Sequence, residues 1–328
     1  MPTFRTLPRN ARFLLLVASA SLAVGAQTMR KPVPHGINSA GVHQKMSDLH
    51  PTAIYQLGGH PDWMAITPSA AWVADSDGNQ VIELDPASSQ IKHTITISKP
   101  CSGLAADFGS LWIPSCGEHA LIRADLNSGK IIARIAVAPA DSEGGITTGA
   151  GSVWLPTKNG LARIDPTTNK VSALITIPFG SYAAAFGDDA IWITSTRNNL
   201  LTRVDPRPNR IVASIRIGPR PRFLTIGAGS VWTLNQADGT VSRVDMKTNQ
   251  LVATIPVGTP GSGGEIAFGA GSVWTTFFNF PISQIDPSLN RVVRQWAGPG
   301  GDSIRVGHGS VWLTDYKGGT VLRLKLPL

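Results

Sequence analysis

Several acidic residues in the sequence could hold a hard cation. Carboxylate oxygens are the ligands that Mg²⁺ and Ca²⁺ prefer, so acidic side chains that meet at one opening could bind either ion. The candidate metal ligands are Asp75, Asp302, Asp315 and Glu265. His60 is the candidate base if such a site were catalytic. The alternative is that these residues are ordinary solvated charges on loops.

A second set of residues has the chemistry of ligand binding. Arginine guanidinium groups bind carboxylates and phosphates in a fixed geometry, and aromatic side chains supply contact area. The candidate ligand-binding residues are Asp62, Trp63, Tyr182, Arg197, Arg220, Arg222 and Tyr316. Nucleic acid is a weaker alternative that rests on the three arginines alone. The formal charge of +8 includes Arg5, Arg9 and Arg12, which leaves a modest +5 for the rest of the chain.

Motifs for nucleophilic catalysis are absent from the sequence. It contains no Gly-x-Ser-x-Gly elbow, no His-Glu-x-x-His and no glycine-rich phosphate loop that opens a helix. The sequence therefore favours binding over covalent catalysis.

The elements that position these residues follow from a repeat. A hairpin of the form Gly-Ser-Val-Trp occurs, with variations, seven times, and its tryptophan lies at Trp72, Trp112, Trp154, Trp192, Trp232, Trp274 and Trp312. The intervals are 40, 42, 38, 40, 42 and 38 residues. Each period contains four short alternating runs separated by turn residues, which predicts four antiparallel strands, A to D. The sequence predicts an all-β, seven-bladed β-propeller of four-stranded blades.

The ends of the repeat indicate how the ring closes. The seventh unit stops after its strand C, and the segment 52–58 matches the strand D pattern ahead of the first strand A. We therefore expect this N-terminal strand to complete the last blade, which leaves no open edge in the ring. The D–A and B–C loops then share one face, where the candidate residues lie.

The two cysteines are predicted to form a disulfide. The hairpin register pairs Ala105 with Trp112 and, continued outward, places Cys101 opposite Cys116. Free thiols in a metal or catalytic site are the alternative, but no histidine or third cysteine stands at ligand spacing.

The N-terminal region predicts export. Residues 1–26 combine a basic start, an apolar run too short to span a membrane and small residues that allow cleavage after Ala26. We expect 27–51 to be a flexible segment and 52–328 to be the propeller. The mature protein is expected to be a periplasmic or secreted monomer without a membrane span.

The repeat also resembles a known family. The segment Arg163–Val171, which reads Arg-Ile-Asp-Pro-Thr-Thr-Asn-Lys-Val, together with the tryptophan hairpin is similar to bacterial YVTN-type and streptogramin-lyase-like (virginiamycin B lyase-like) propellers. The resemblance covers about 52–328. The lyase resemblance implies a Mg²⁺-dependent elimination that opens a cyclic depsipeptide lactone, with a histidine base and glutamate ligands near the channel mouth. The YVTN resemblance implies an exported binding module.

Two functional hypotheses follow. The preferred one is a non-catalytic exported module that binds a protein or a small anionic ligand on the D–A and B–C loop face. The alternative is a metal-dependent lyase or hydrolase at the channel mouth. In the lyases strand B commonly ends in Trp-Phe-Thr-Glu, whereas no strand B ends in glutamate here, and Asp75 and Asp315 are the two acidic endings.

Overall fold

The computed structural model describes residues 39–258, 260–261 and 263–328. The expected signal peptide and its cleavage site after Ala26 lie outside these residues. The described part of the chain contains twenty-nine β-strands and one 3-10 turn, Met46–Asp48. Within it, no helix is long and apolar enough to cross a membrane.

The strands form seven sheets, which are the seven blades. Two strands precede the first blade: β1 (His43–Lys45) and β2 (Ala53–Gln56). Blades 1 and 2 consist of β3 (Pro61–Ile66), β4 (Ala71–Asp75), β5 (Gln80–Leu84), β6 (Ile91–Thr96), and of β7 (Ala105–Asp107), β8 (Ser110–Ser115), β9 (Ala120–Asp125), β10 (Ile131–Ile135). Blades 3 and 4 consist of β11 (Thr147–Gly149), β12 (Ser152–Thr157), β13 (Gly160–Asp165), β14 (Lys170–Ile175), and of β15 (Ser181–Gly187), β16 (Ala190–Ser195), β17 (Leu200–Asp205), β18 (Arg210–Arg216).

The remaining strands complete the ring. Blades 5 and 6 consist of β19 (Pro221–Gly227), β20 (Ser230–Asn235), β21 (Thr240–Asp245), β22 (Gln250–Pro256), and of β23 (Ile266–Gly269), β24 (Ser272–Phe277), β25 (Phe280–Asp286), β26 (Arg291–Ala297). Blade 7 contributes β27 (Ile304–Gly307), β28 (Ser310–Asp315) and β29 (Thr320–Lys325). Its fourth strand is β2, which pairs antiparallel with β29 and places Tyr55 opposite Val321. The predicted seven-bladed propeller and its closure by the N-terminal strand are confirmed.

Strand β1 adds a fifth strand, which the repeat does not contain, to blade 6. It pairs in parallel with β26, so that His43 lies opposite Gln295, and blade 6 becomes five-stranded. The Gln295 backbone N–H also donates to the Val42 carbonyl at 2.8 Å. The segment 27–51 shows no apolar periodicity in the sequence. Its residues 43–45 nevertheless form a strand, because they pair with β26 at the edge of blade 6.

The repeated tryptophans form the packing between blades. All seven are at most 1% exposed. In six of them the indole N–H donates to the carbonyl five residues earlier, as Trp154 does to Gly149 at 2.9 Å. These six indoles thus bury a large apolar surface while their polar atom stays hydrogen-bonded.

A column of arginines joins successive blades. Each guanidinium lies over the tryptophan of its own blade and donates to the C–D turn of the next blade, as in Arg123, Arg163, Arg203, Arg243 and Arg323. Arg163 donates to the Pro206 carbonyl at 2.8 Å and to Asn209 Oδ1 at 3.1 Å. Charge-assisted bonds of this kind stabilise the contact between neighbouring blades.

The aspartates at the ends of strand C fix the turns that receive these arginines. Asp165 Oδ1 accepts from the backbone N–H groups of Thr167 and Thr168, at 2.7 and 3.3 Å. The bond from Thr167 lowers the pKa of Asp165 below its usual value. The turn ends at Asn169, whose φ of +56° is one that asparagine tolerates. These carboxylates are structural.

The predicted disulfide is present. Cys101 and Cys116 are bonded, with their Cα atoms 6.0 Å apart. Ala105 pairs with Trp112 as expected, but further out the register shifts by two residues, and Pro100 rather than Ser102 bridges to Ser115. The bridge therefore joins diagonal rather than directly opposed positions of the hairpin.

Candidate functional site

The inner end of strand A brings one residue of each blade to the mouth of the central channel. In every blade the residue seven positions before the tryptophan pairs with it, as Arg305 does with Trp312, so equivalent residues lie at one level. We call the residues ten positions before each tryptophan the mouth layer: Asp62, Ser102, Gly144, Tyr182, Arg222, Gly264 and Asp302. The next residues form the plug layer: Trp63, Gly103, Gly145, Ala183, Phe223, Glu265 and Ser303.

The plug layer closes part of the channel. Trp63 of blade 1 contacts Phe223 of blade 5 across the ring, with ring centroids 5.5 Å apart. Gly103 and Gly145 lie so close that a Cβ on Gly103 would be 3.3 Å from the Gly145 Cα, so these blades approach the axis more closely than larger residues would allow. Trp63 is 2% exposed. Its indole is part of the core and is not on the surface that carries the other candidate ligand residues.

A cavity of about 430 Å³ lies along the channel wall. Phe223 and aliphatic side chains such as Ile226 and Val306 form much of its wall, and Glu265 and Arg305 add two charges. These two residues form an ion pair, in which the Arg305 guanidinium donates to both oxygens of Glu265. The Ser303 hydroxyl donates to the same carboxylate. The charge of Glu265 is therefore compensated inside the protein.

The other acidic residues of the mouth raise one another's pKa. Burial is the largest cause of the raised pKa in each case. The second cause is the Asp302 carboxylate for both Asp62 and Glu143, and the Glu265 carboxylate for Asp302. The pKa of Asp302 is raised to about 6 and that of Glu143 to about 7, whereas that of Asp62 lies well above its usual value. Perturbed carboxyl groups in a concave region are typical of functional sites.

The candidate metal ligands divide into two groups. Asp302 and Glu265 interact at the mouth, but Asp75 and Asp315 are engaged in their own loops. Asp75 Oδ1 accepts from the N–H groups of His60 and Gly78, at 3.2 and 2.9 Å, and Asp315 Oδ1 accepts from Gly318 N–H at 2.9 Å.

No single hard-cation site fits these donors. Among residues 39–258, 260–261 and 263–328, no three His, Cys, Asp or Glu side chains are grouped as metal ligands. Glu265 is already neutralised by Arg305. A shared Mg²⁺ or Ca²⁺ position is therefore not supported by the side chains that the sequence suggested.

His60 lies beside the acidic residues in a defined setting. Its Nδ1 is 2.5 Å from Asp77 Oδ2, and its ring stacks on Tyr316 with centroids 4.6 Å apart. Burial, followed by the charges of Asp77 and Asp62, raises the pKa of the Tyr316 hydroxyl. The carboxylate of Asp77 orients the imidazole, as in histidines that act as general bases.

Four of the predicted ligand residues meet on the opposite side of the mouth. An open depression of about 750 Å³, here called the arginine depression, lies between blades 4 and 5. Its lining consists of Tyr182, Thr196, Arg197, Asn199, Pro219, Arg220 and Arg222. The structure therefore brings Tyr182 and all three arginines together, and leaves Asp62 and Tyr316 on the acidic side.

The three arginines differ in how they are compensated. Arg222 Nη2 lies 2.6 Å from Asp141 Oδ1, and its guanidinium is stacked on Tyr182 at 4.8 Å. Arg197 is stacked on the exposed ring of Phe179 at 4.9 Å. In the part of the chain that the structure describes, no carboxylate lies within 4.0 Å of the guanidinium of Arg197 or Arg220.

Sequence reasoning missed three residues of the mouth. Glu143 and Asp141 belong to the loop between blades 2 and 3, which has no constant position in the repeat. Arg305 could have been found, because the other six blades carry alanine or threonine seven positions before the tryptophan. Asp77 gives no such signal, since nothing in the sequence pairs it with His60.

Fold and site together define a seven-bladed β-propeller with a charged channel mouth. No protein-family model matches the chain, and no curated protein matches its sequence. Among solved structures, the fold is similar to a streptogramin B lyase, at a TM-score of 0.71 and 18% identity over 84% of this chain and 97% of that chain. Virginiamycin B lyase from Staphylococcus aureus gives a TM-score of 0.71 and 18% identity over 83% of this chain and 98% of the enzyme.

A catalytically inactive histidine-to-alanine variant of the Staphylococcus aureus enzyme, solved with quinupristin, gives the same TM-score of 0.71 and 18% identity over 85% of this chain and 99% of that chain. Hydrazine synthase from Kuenenia stuttgartiensis is similar at a TM-score of 0.69 and 13% identity, over 88% and 99% of the two chains. These comparisons confirm the lyase-like resemblance for the fold. One fold supports proteins with different names and activities, so function has to be argued from the site.

Proposed function

We propose that the protein is an exported binding module that takes a small anionic ligand, a carboxylate or a phosphate, in the arginine depression. The observation that carries the proposal is that Arg197 and Arg220 line one depression and have no carboxylate partner among the described residues. Guanidinium groups in this arrangement favour planar, charged oxygen groups. Tyr182 adds an aromatic wall for the body of the ligand.

The charge distribution favours a small anion over a polyanion. Arg222 is compensated by Asp141, which leaves two arginines of the depression, Arg197 and Arg220, without a carboxylate among the described residues, rather than a basic stripe. The other side of the same mouth carries Asp62 and Asp302, which would repel the phosphates of a nucleic acid. A ligand small enough to stay within the depression avoids this repulsion.

Export is supported by two independent features. Residues 1–26 have the composition of a signal peptide, and the chain contains a disulfide, Cys101–Cys116. Disulfides persist in oxidising compartments outside the cytosol. The proposal therefore places the ligand in the periplasm or the medium.

The test is calorimetric titration of the purified protein with inorganic phosphate and, separately, with citrate. We expect binding of at least one of these anions, and a tenfold or greater loss of affinity in the double variant Arg197→Gln and Arg220→Gln. Arg207→Gln is the matched control, because Arg207 is exposed on a C–D turn and 3.6 Å from Asp205. Absence of binding by the wild type, or an equal loss in the control, would refute the proposal.

A second candidate function is a carbon–oxygen lyase activity on the acidic side of the mouth. It is favoured by His60, which Asp77 orients beside the perturbed carboxyl groups, and by the fold shared with virginiamycin B lyase. An elimination needs a base that accepts a proton from carbon, and His60 could take this role. The test is to follow quinupristin by mass spectrometry with added Mg²⁺ and with chelator. Linearisation that is lost in His60→Ala would establish this activity in place of simple binding.

A further inference from the structure

Asp62 differs from every other buried carboxylate that the structure describes. Four carboxylates of the described residues are buried, and three of them have partners. Asp75 accepts from three donors, Glu83 lies 2.5 Å from His93 Nδ1, and Glu265 pairs with Arg305. Asp62 is 8% exposed, and its carboxylate has neither a hydrogen bond nor an ion pair within residues 39–258, 260–261 and 263–328. Burying a carboxylate without a partner is unfavourable, so a fold that retains one requires an explanation.

The surroundings of Asp62 increase this penalty. The charged groups that face it are Asp302, Glu143 and Glu265, all acidic, and the guanidinium of Arg305. Arg305 is not available as a partner, because both of its terminal nitrogens donate to Glu265. Without a ligand the raised pKa lets a proton neutralise Asp62, and the ionised carboxylate needs a positive charge that enters from the channel mouth.

The walls of this region fit an organic cation better than a metal ion. Within the described residues the carboxylates are not grouped as metal ligands, and a Mg²⁺ or Ca²⁺ ion needs at least six oxygens in close array. Besides burial and Asp77, the charges of Asp62 and Asp302 raise the pKa of the Tyr316 hydroxyl, and His60 stacks on the same ring. A protonated amine is attracted both by carboxylates and by the faces of aromatic rings.

We propose that Asp62 and Asp302 form a binding site for a protonated primary amine at the acidic side of the channel mouth. The site is separate from the arginine depression and does not depend on it. Glu143 lies between the two, because its carboxylate interacts both with Asp302 and with Arg222. A ligand that carries an amine and an acidic group could occupy both sites at once.

The experiment is calorimetric titration of the wild-type protein with putrescine at pH 7, in two buffers of different ionisation enthalpy that contain no primary amine. Binding of the amine stabilises the ionised carboxylates. Since the pKa of Asp62 is raised well above its usual value by burial and that of Glu143 is about 7, we expect protons to be released on binding. A simple surface association would release none.

Variants separate this site from the anion site. We expect Asp62→Asn to weaken putrescine binding at least tenfold, and Asp302→Asn to weaken it severalfold. The control Asp189→Asn removes one exposed charge from an A–B turn on the other face and should leave the affinity unchanged. The Arg197→Gln and Arg220→Gln variant should also bind putrescine normally, so the amine site can fail or succeed independently of the anion site.

Three results would overturn the proposal. They are no putrescine binding by the wild type, an unchanged affinity in a folded Asp62→Asn protein, and displacement of putrescine by an equal concentration of CaCl₂ or MgCl₂. Circular dichroism and a thermal melt establish that the variant is folded. Asparagine has nearly the same volume as aspartate and removes the repulsion, so we expect Asp62→Asn to melt no lower than the wild type at pH 7.

Discussion

Replacing Asp302 with asparagine tests whether the acidic side of the mouth destabilises the folded protein. The Gly264 backbone bonds to this carboxylate and lowers its pKa, but burial and the charge of Glu265 outweigh that bond and raise the pKa from 3.8 to about 6. Asparagine keeps an oxygen that can accept the bond from Gly264 and carries no charge. The variant therefore isolates the electrostatic effect.

The magnitude follows from the shift. The pKa rises by about two units, and because one unit corresponds to 1.36 kcal/mol, the free energy of unfolding changes by up to ~3 kcal/mol. Below pH 4 the carboxyl is protonated in both states and has no effect. As the pH rises from about 4 to about 6, the unfolded chain ionises first, and the wild type loses this stability. The Asp302→Asn variant has no carboxyl group at this position, so it does not lose this stability as the pH rises.

The assay is urea unfolding of wild type and variant at pH 4, 5, 6 and 7. We expect the variant to gain about 2 to 3 kcal/mol relative to the wild type between pH 4 and pH 7. The turn aspartates titrate in both proteins, so their contribution cancels in the difference. Asp189→Asn, on the opposite face, should show a constant difference. A pH-independent difference for Asp302→Asn would refute the electrostatic reasoning.

Three further predictions concern the scaffold and are checked by denaturant unfolding. Arg163→Ala removes the bonds to the Pro206 carbonyl and Asn209 as well as the contact with its tryptophan, and we expect a loss of about 2 to 4 kcal/mol. Arg207→Ala, at an exposed position, should cost little, and an equal loss there would contradict the inter-blade role. Cys101→Ser opens a loop with a sequence separation of 15, for which we expect a loss of about 3 kcal/mol, and reductant should reproduce that loss in the wild type but not in the variant. Trp63→Ala removes the contact across the channel and should lower the stability by about 3 to 5 kcal/mol; an unchanged midpoint would show that the plug does not support the ring.

Two blades lack the arginine of the inter-blade column, and the reason is visible only in the three-dimensional structure. Blade 6 carries Gln284 in place of the arginine, and the blade that follows it has no C–D turn of its own, because β2 supplies its last strand. Blade 1 carries Glu83, and the next C–D turn has Gly129 where four of the other blades have asparagine. In these two blades the arginine is replaced where the next turn, or its asparagine, is missing, whereas Arg323 of blade 7 is retained and donates to the Pro86 carbonyl of a turn that carries Ser89. The sequence shows both departures, but the ring is needed to see that they are partners.

The sequence by itself determined the fold, the closure of the ring and the disulfide. The blades and the disulfide depend on hairpins, in which alternation and turn residues act between neighbours a few positions apart. The closure pairs β2 with the distant β29, and the sequence indicated it because the last unit lacks a fourth strand. The sevenfold spacing of the tryptophans then leaves one arrangement that buries every indole. The same reasoning placed Tyr182 and the three arginines on one face, where they do meet.

Only the tertiary structure decided which loop residues share the mouth. Glu143, from the loop after blade 2, interacts with Asp302 of blade 7, and Trp63 of blade 1 contacts Phe223 of blade 5. Asp75 points into its own loop instead of joining them. These relations cross the ring, so they depend on how closely the inner strands approach the axis. That approach is set by the sizes of all seven plug-layer side chains together, which no local pattern in the sequence encodes.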